Sequence, residues 1–440
     1  MKLSGWGRYP RIECKVTRGP SEQAVRDAVK EGPQIARGNG RSYGDAALGA
    51  TGTLDMRRMN RMISFDMATG VLVAEAGTLL EDILSAFVPR GFFPLVTPGT
   101  KYVTLGGMIA ADVHGKNHHI DGSMRCTIDW LDLMLTSGAV LRLSRDENAD
   151  LFDLTVGGMG LTGVILRAAI RLRPIETAWI KQTLLPADSL DEAMALFEAN
   201  QGATYSVAWI DCLARGEHLG RSLVMLGEHA QLSEVGNRRR ARPLHTPARA
   251  RKAIPFDLPI FTLNKLTVSA FNRLYWWKAK RSAGVSFVDW DSYFYPLDAI
   301  LGWNRIYGRK GFVQFQCVIP LANSADAMRA LLETVSAAGQ GSFLAVLKRM
   351  GPAQSAFSFP MEGYTLALDF PATQTAFALL DRLHAIVKAS GGRIYLAKDA
   401  RLLADELHAL DPRAAAFRDR REALDPGRGF TSNLSERLSL

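Results

Sequence analysis

The stretch that constrains this chain most runs from residue 37 to 45 and reads Arg-Gly-Asn-Gly-Arg-Ser-Tyr-Gly-Asp, directly after a short strand over 34–37. Glycines carry no Cβ, so successive backbone N–H groups there can turn toward one point and form a nest for an anion such as a diphosphate. The spacing is not Gly-x-Gly-x-x-Gly and no long apolar helix follows, which argues against a Rossmann unit. A chain of 440 residues, 47% hydrophobic and 22% charged, exceeds what one small core needs and points to two packed domains. Its 39 Gly and 19 Pro are spread along the length, which excludes low-complexity and fibrous classes.

The first 176 residues read as short strands broken by glycine turns. Strands over 62–66 and 71–76 make a hairpin around Ala68-Thr69-Gly70, and Thr78-Leu79-Leu80-Glu81 is a capping box for a helix ending near Arg90, with Gly91 at its stop. Strands over 128–135 and 139–144 flank Ser137-Gly138, and Gly157 to Gly163 leads into a strand over 164–172 that Pro174 closes. From Trp179 the texture changes to longer strands alternating with helices opened by Ser189, by Ser324 and over 373–390. The clearest strands are 311–320, 342–350 and 364–370. Gln314 and Gln316 share one face of the first, and Lys348 ends a face of the second with Ser342, Leu344 and Val346. Polar groups therefore project from one surface, either toward a ligand or into solvent.

Two further glycine-rich stretches matter. Pro98-Gly99-Thr100 precedes a run from Thr104 to His119 in which Gly106 and Gly107 open a small helix whose N-terminal amides suit a phosphate. The loop that follows holds His114, Lys116, His118 and His119. A metal reading fails because no Glu neighbours the first His as His-Glu-x-x-His requires, and only Asp112 and Asp121 lie near. A structural or cofactor-contact role fits these histidines better. Near the far end, Tyr395 and Lys398 stand close to the end of a strand, where a lysine is commonly a surface ion-pair partner.

Cys14, Cys126, Cys212 and Cys317 are far apart, so neither a zinc framework nor a disulfide scaffold is indicated and a reducing compartment is the simplest fit. The N-terminus lacks the apolar stretch of a signal peptide, and no window reaches the length of a membrane span. The formal charge of +9 is concentrated: between 237 and 282 there are twelve Lys or Arg against one acid, Asp257. Phe256, Ile260, Phe261, Leu263, Leu266, Phe271, Leu274, Tyr275, Trp276 and Trp277 interleave with these cations. The mixture suits an anionic lipid surface, and a mobile, solvated loop explains it equally well. Nucleic acid ranks third, since no helix-turn-helix, zinc or RNP pattern accompanies the charge.

Taken in order, Arg37 to Asp45, Pro98 to Thr100, Leu105 to Gly107, Asp112 to His119, Gly157 to Gly163 and Tyr395 to Arg401 resemble the motifs of vanillyl-alcohol-oxidase-type (PCMH-type) flavoproteins, and within them the decaprenylphosphoryl-β-D-ribose 2′-oxidase family. The likeness runs nearly end to end, from Leu3–Arg8 through Gly302–Gly308 to the closing helix. It implies an α+β, two-domain FAD-binding fold: a cofactor domain over 1–176, an inserted substrate domain over 177–392 built on an antiparallel sheet covered by helices and carrying the basic segment 237–282, and a tail over 393–440 that returns to the first domain. It further implies FAD contacts at Arg37, Gly38, Asn39, Gly40, Arg41, Ser42, Tyr43, Pro98, Gly99, Thr100, Gly106, Gly107, Ala111, His114, Lys116, Asn117, Gly122, Gly160, Gly163, Val164 and Tyr395. A histidine commonly occupies the first glycine loop where FAD is covalently attached; here that place reads Gly40-Arg41-Ser42, so the FAD is expected to be non-covalent.

The chemistry the resemblance implies is oxidation of the 2′-hydroxyl of a polyprenylphosphoryl-β-D-ribose to the 2′-keto sugar, the first half of an epimerisation to an arabinose donor for cell-envelope glycan. Lys398 is the expected holder of the hydroxyl, with His114 beside the flavin and Tyr395 in its setting. Tyr43, Lys116, Gln314, Gln316, Lys348, Ala367 and Lys398 are the expected substrate contacts. Mycobacterial members carry a cysteine where this chain has Ala367, so nitroaromatic inhibitors that trap that thiol should form no adduct here. An NAD(P)H-dependent keto-sugar reductase is the expected partner, with peripheral membrane contact, no nucleic acid, no metal, and a cytoplasmic or inner-membrane-peripheral location. The alternative is an alditol or aldonolactone oxidase acting on a soluble sugar.

Overall fold

A computed structural model describes residues 1–247, 249–259, 264–353 and 355–440, so Ile260, Phe261 and Leu263 of the basic segment lie outside the described residues. The first glycine run leaves the edge of a parallel sheet in which Thr53–Asp55 lies between Val16–Arg18 and Ile35–Arg37. Helix Glu22–Lys30, capped by the Ser21 hydroxyl, buries Val25, Ala28 and Val29 against Leu54 and Met56 of this layer.

A second sheet runs Val140–Ser144, Ile128–Met134, Val164–Pro174, Val71–Glu75, Met62–Asp66, all antiparallel, and Phe92–Pro94 pairs with the far end of Val164–Pro174. In the long strand Val164 and Leu166 join one apolar cluster while Ile165, Ala168 and Ile170 join another. Burial on both faces explains why that stretch reads as an unbroken apolar run and not as an alternation.

The third sheet orders Gly284–Asp289, Trp179–Ala187, Ser222–His229, Tyr205–Ile210, Ala345–Met350, Gly363–Pro371, Phe312–Pro320 and Arg393–Ile394, each antiparallel to its neighbour. Helices Leu190–Ala199, Ser324–Ala338 and Gln374–Ala389 pack side by side on it, and His384 of the last stacks on Phe315 at 6.1 Å. The helices thus cover the Phe315 and Cys317 face. The opposite face, with Gln314 and Gln316, is left to meet the first part of the chain.

Three local readings change. Thr78 does not cap: the helix starts at Leu80, its first amides go to the Val103 and Lys101 carbonyls (both 2.9 Å), and the Thr78 hydroxyl has no partner. The chain at 78–79 is instead paired as extended backbone, Thr78 O accepting from Leu105 N at 2.9 Å. The strand expected from 342 begins at Ala345, because the Ser342 hydroxyl turns to the Leu344 carbonyl and accepts from Asp369 N. Much of the basic segment is folded: Asn237–Arg240 and Lys265–Lys280 are helical, and Lys252–Ala253 pairs with Ile300–Leu301.

The tail closes the fold. Tyr43 N donates to Ala397 O at 2.9 Å, and a Cβ on Gly44 would lie 1.9 Å from the Asp399 carbonyl oxygen. Only a hydrogen fits there. Gly44→Ala is therefore expected to cost about 2 kcal/mol or more of stability, read as a lowered urea midpoint at unchanged slope.

Candidate active site

The site is built first from what the glycine loop leaves undone. The backbone N–H groups of Gly38, Asn39, Gly40, Arg41 and Ser42 donate to no acceptor among the described residues. The loop's side chains brace it from outside: Arg37 donates to Ser4 O (2.8 Å) and Ala47 O (3.2 Å), Asn39 to Tyr102 O (2.8 Å), and the Arg41 guanidinium lies 4.0 Å over the Trp6 ring and 5.0 Å over Tyr102. A Cβ on Gly38 would sit 2.0 Å from the Thr104 hydroxyl, so the loop touches the start of helix Leu105–Ala110, where Thr104 is the N-cap.

Gly106 serves packing as well: its N–H goes to Ala76 O at 2.7 Å, and a Cβ would meet Ala76 at 2.9 Å. The Pro98-Gly99-Thr100 turn is pinned by Asp298, which accepts from the Thr100 hydroxyl and Lys101 N at 2.8 Å each, while the Cβ position of Gly99 faces open space. Bare amides beside an open turn fit a diphosphate.

His114 forms the floor. It is buried, and its Nε2 accepts from the Gln316 amide at 3.1 Å, which puts the ring hydrogen on Nδ1, an atom without a partner. Burial, then Lys348, His118 and Lys398, hold this ring well below its ordinary pKa, so it stays neutral. Tyr395 donates to Ala111 O at 2.9 Å, stacks on Phe359 at 4.6 Å and lies 5.3 Å from the His114 ring. Lys116 donates to Tyr293 O and sits 4.0 Å over that ring; burial, with Lys348 adding, lowers it to about 7. Asn117 donates to Leu95 O (2.7 Å) and Asp121 (2.6 Å) and keeps Oδ1 unpartnered.

The other two histidines of this loop bond the protein through one nitrogen each: His118 Nδ1 accepts from Gly351 N at 3.1 Å, and His119 Nε2 meets Ala203 O at 2.8 Å, while His118 Nε2 and His119 Nδ1 have no partner among the described residues. Among the described residues no group of three His, Cys, Asp or Glu is arranged for a metal. Gly122 and Gly160 take positive φ (75° and 80°), and Gly163 packs against Met134 O. Val164 points into the core, so only its backbone is available to a ligand.

The roof is the third sheet. Its register sets Lys348 beside Thr365, Gln316 beside Ala367 and Gln314 beside Asp369, and the period of two puts all six on one face. Lys398 hangs 3.6 Å over the Tyr43 ring from the loop after Arg393–Ile394. Among the described residues neither Lys348 nor Lys398 is in an ion pair. Burial lowers Lys348 to about 8; burial also lowers Lys398, opposed by Asp369 and assisted by Lys348.

Asp369 and Thr365 belong to this site although sequence reasoning assigned them no role. Asp369 is fully buried, accepts from Gln314 at 2.5 Å, keeps one oxygen unpartnered, and is raised chiefly by burial. The signal was the parity of 365, 367 and 369, given Ala367. The Arg37 guanidinium and the Thr100 hydroxyl bond the protein itself.

A glycine nest on a parallel sheet that meets the polar face of an antiparallel sheet suits a flavin-dependent oxidoreductase, and residues 21–144 match the FAD binding domain family, which makes this chain one. Decaprenylphosphoryl-beta-D-ribose oxidase of Mycolicibacterium smegmatis is 36% identical over 100% of this chain and 97% of its own length. The chain belongs to the decaprenylphosphoryl-β-D-ribose oxidase family. An uncharacterized protein of Streptomyces coelicolor is 34% identical over 82% of this chain and all of its own, and mouse L-gulonolactone oxidase 30% identical over 35% of this chain and 36% of its own.

The cofactor is FAD. The residues of the cleft fit it, through the free amides at 38–42 and the unpartnered polar atoms of His114 and Asn117. Gly38→Val, which fills the gap against Thr104, is expected to give folded protein by circular dichroism with no flavin absorbance.

Proposed function

We propose that this chain oxidises the 2′-hydroxyl of a polyprenylphosphoryl-β-D-ribose to the 2′-keto sugar on non-covalently held FAD. The observation that carries the reading is the cluster of Lys116, Lys348 and Lys398 around the polar sheet face: half-buried lysines lowered by burial, none of them in an ion pair among the described residues, favour an anionic substrate. When bound, FAD accepts the carbinol hydride. Lys398, as the neutral amine, takes the hydroxyl proton, and burial, assisted by Lys348 and opposed by Asp369, keeps that amine available near pH 7. Gln314 and Gln316 bond ribose hydroxyls, Lys348 and Lys116 meet the phosphate, and neutral His114 with Tyr395 would help hold the FAD. Tyr43 bounds the cleft under Lys398, and Ala367 leaves space where a thiol would stand.

The residues divide as a cofactor domain over 1–176, a substrate domain over 177–392 and a returning tail over 393–440. A soluble alditol or aldonolactone oxidase would have no use for these uncompensated cations, and the gulonolactone oxidase likeness covers about a third of the chain. The keto product needs a hydride donor to become arabinose, so an NAD(P)H-dependent reductase is the expected partner.

The lipid tail is served by helix Lys265–Lys280. It buries Val268, Asn272 and Trp276, four residues apart, and turns outward Leu266 (80% exposed), Leu274 (63%) and Trp277 (51%) among Lys265, Arg273, Lys278 and Arg281. Phe271 meets Phe343 at 5.1 Å, next to Ser342, whose hydroxyl holds Asp369 N. This exposed face therefore adjoins the cleft, and contact with an anionic bilayer delivers substrate to it. Among the described residues no helix is long and apolar enough to cross a membrane.

In an anaerobic titration, polyprenylphosphoryl ribose is expected to bleach the flavin and a soluble alditol is not; the reverse would transfer the reading to the alternative. Lys398→Met should retain FAD and slow that bleaching about 100-fold or more. In the unmodified protein the rate should fall on acidification through about pH 7, where Lys398 becomes protonated, and the variant should lose this dependence. Sedimentation with phosphatidylglycerol-containing vesicles should weaken about tenfold in Leu274→Glu/Trp277→Glu, and phosphatidylcholine alone should bind neither protein.

A further inference from the structure

Two buried carboxylates stand at the ends of the loops that make the site. Asp45 closes the glycine run and is 1% exposed; Asp399 follows Lys398 and is 4% exposed. One side chain from the closing helix Asn433–Leu438 spans both. Arg437 donates from Nε and Nη2 to the two Asp45 oxygens (3.0 and 2.8 Å), and from Nη1 to Asp399 Oδ2 (2.9 Å) and the Leu402 carbonyl. Asn433 of the same helix also donates to Asp45 at 2.6 Å, and Arg401 N and Leu402 N donate to Asp399 at 3.0 Å each.

We infer that Arg437 is a positioning residue that fixes the distance between the 38–42 amide nest and the Lys398 amine. The guanidinium is suited to this because its donors lie in one rigid plane; a lysine has one mobile ammonium and cannot hold two carboxylates and a carbonyl in fixed directions. The link is short. Asp45 lies three residues from Ser42, Asp399 is bonded directly to Lys398, and the Tyr43 ring already lies beneath Lys398. A shift of either loop therefore moves the amine relative to a ring anchored through its diphosphate, and small displacements of a reacting group cost large factors in rate.

The inference rests on the proposed oxidation for its kinetic readout, and flavin affinity provides one that does not. The variant is Arg437→Lys, which keeps the charge beside two buried carboxylates, with Arg437→Met as the more severe form. In Arg437→Lys the FAD dissociation constant should rise about tenfold. Flavin reduction by a short-chain polyprenylphosphoryl ribose, per bound flavin, should slow about tenfold with KM within twofold of the unmodified protein. A folded Arg437→Lys that melts at lower temperature yet keeps FAD affinity and the per-flavin rate within twofold would overturn the inference and leave Arg437 a stabilising residue only. Should the unmodified protein not be reduced by the probe, the proposed oxidation fails, while the FAD affinities still decide whether Arg437 sets the nest.

Discussion

The site depends on the approach of two loops that are more than three hundred residues apart in the chain. Gly44 lies so close to the Asp399 carbonyl that no side chain fits between them, and the Tyr43 amide is bonded to Ala397. That approach places a lysine over the loop whose amides are free, and it gives the eight-stranded sheet its last strand, Arg393–Ile394, paired with the strand that carries Gln316. The glycine loop and the polar sheet face are thus held in register by one seam, with the half-buried Arg437 beside it.

Electrostatics supply the second theme. Lys348 disfavours charge on Lys116, Lys398 and His114, Lys398 does so on His114, and burial disfavours it on all four. Such an arrangement is costly until an anion enters. Asp369 offsets part of that cost for Lys398, and its own raised pKa shows the same low-dielectric setting. A phosphate-bearing substrate would bring the missing charge.

The legibility of the molecule in its sequence was uneven for physical reasons. The nest at 38–42, the turn at Gly99 and the polar parity of Gln314, Gln316 and Lys348 follow from missing Cβ atoms and a period of two, both of which are local. Thr78 misled because a Thr-x-x-Glu pattern has no knowledge that its backbone will be paired with residues 103–105. Asp369 went unassigned because an aspartate in a strand has no meaning until the register sets it beside Gln314 and under a lysine from the tail.

The sequence by itself determined a glycine nest suited to an anion, the polar face and the concentration of cations with apolar side chains on one segment, since each is written in spacing or composition, whereas the cofactor class rested on the resemblance of its motifs. Tertiary structure alone decided which lysine stands over the glycine loop, which carboxylate tempers it and which arginine joins the two loops. Those relations are distances between residues far apart in the chain, and only the burial they share turns such distances into altered proton affinities.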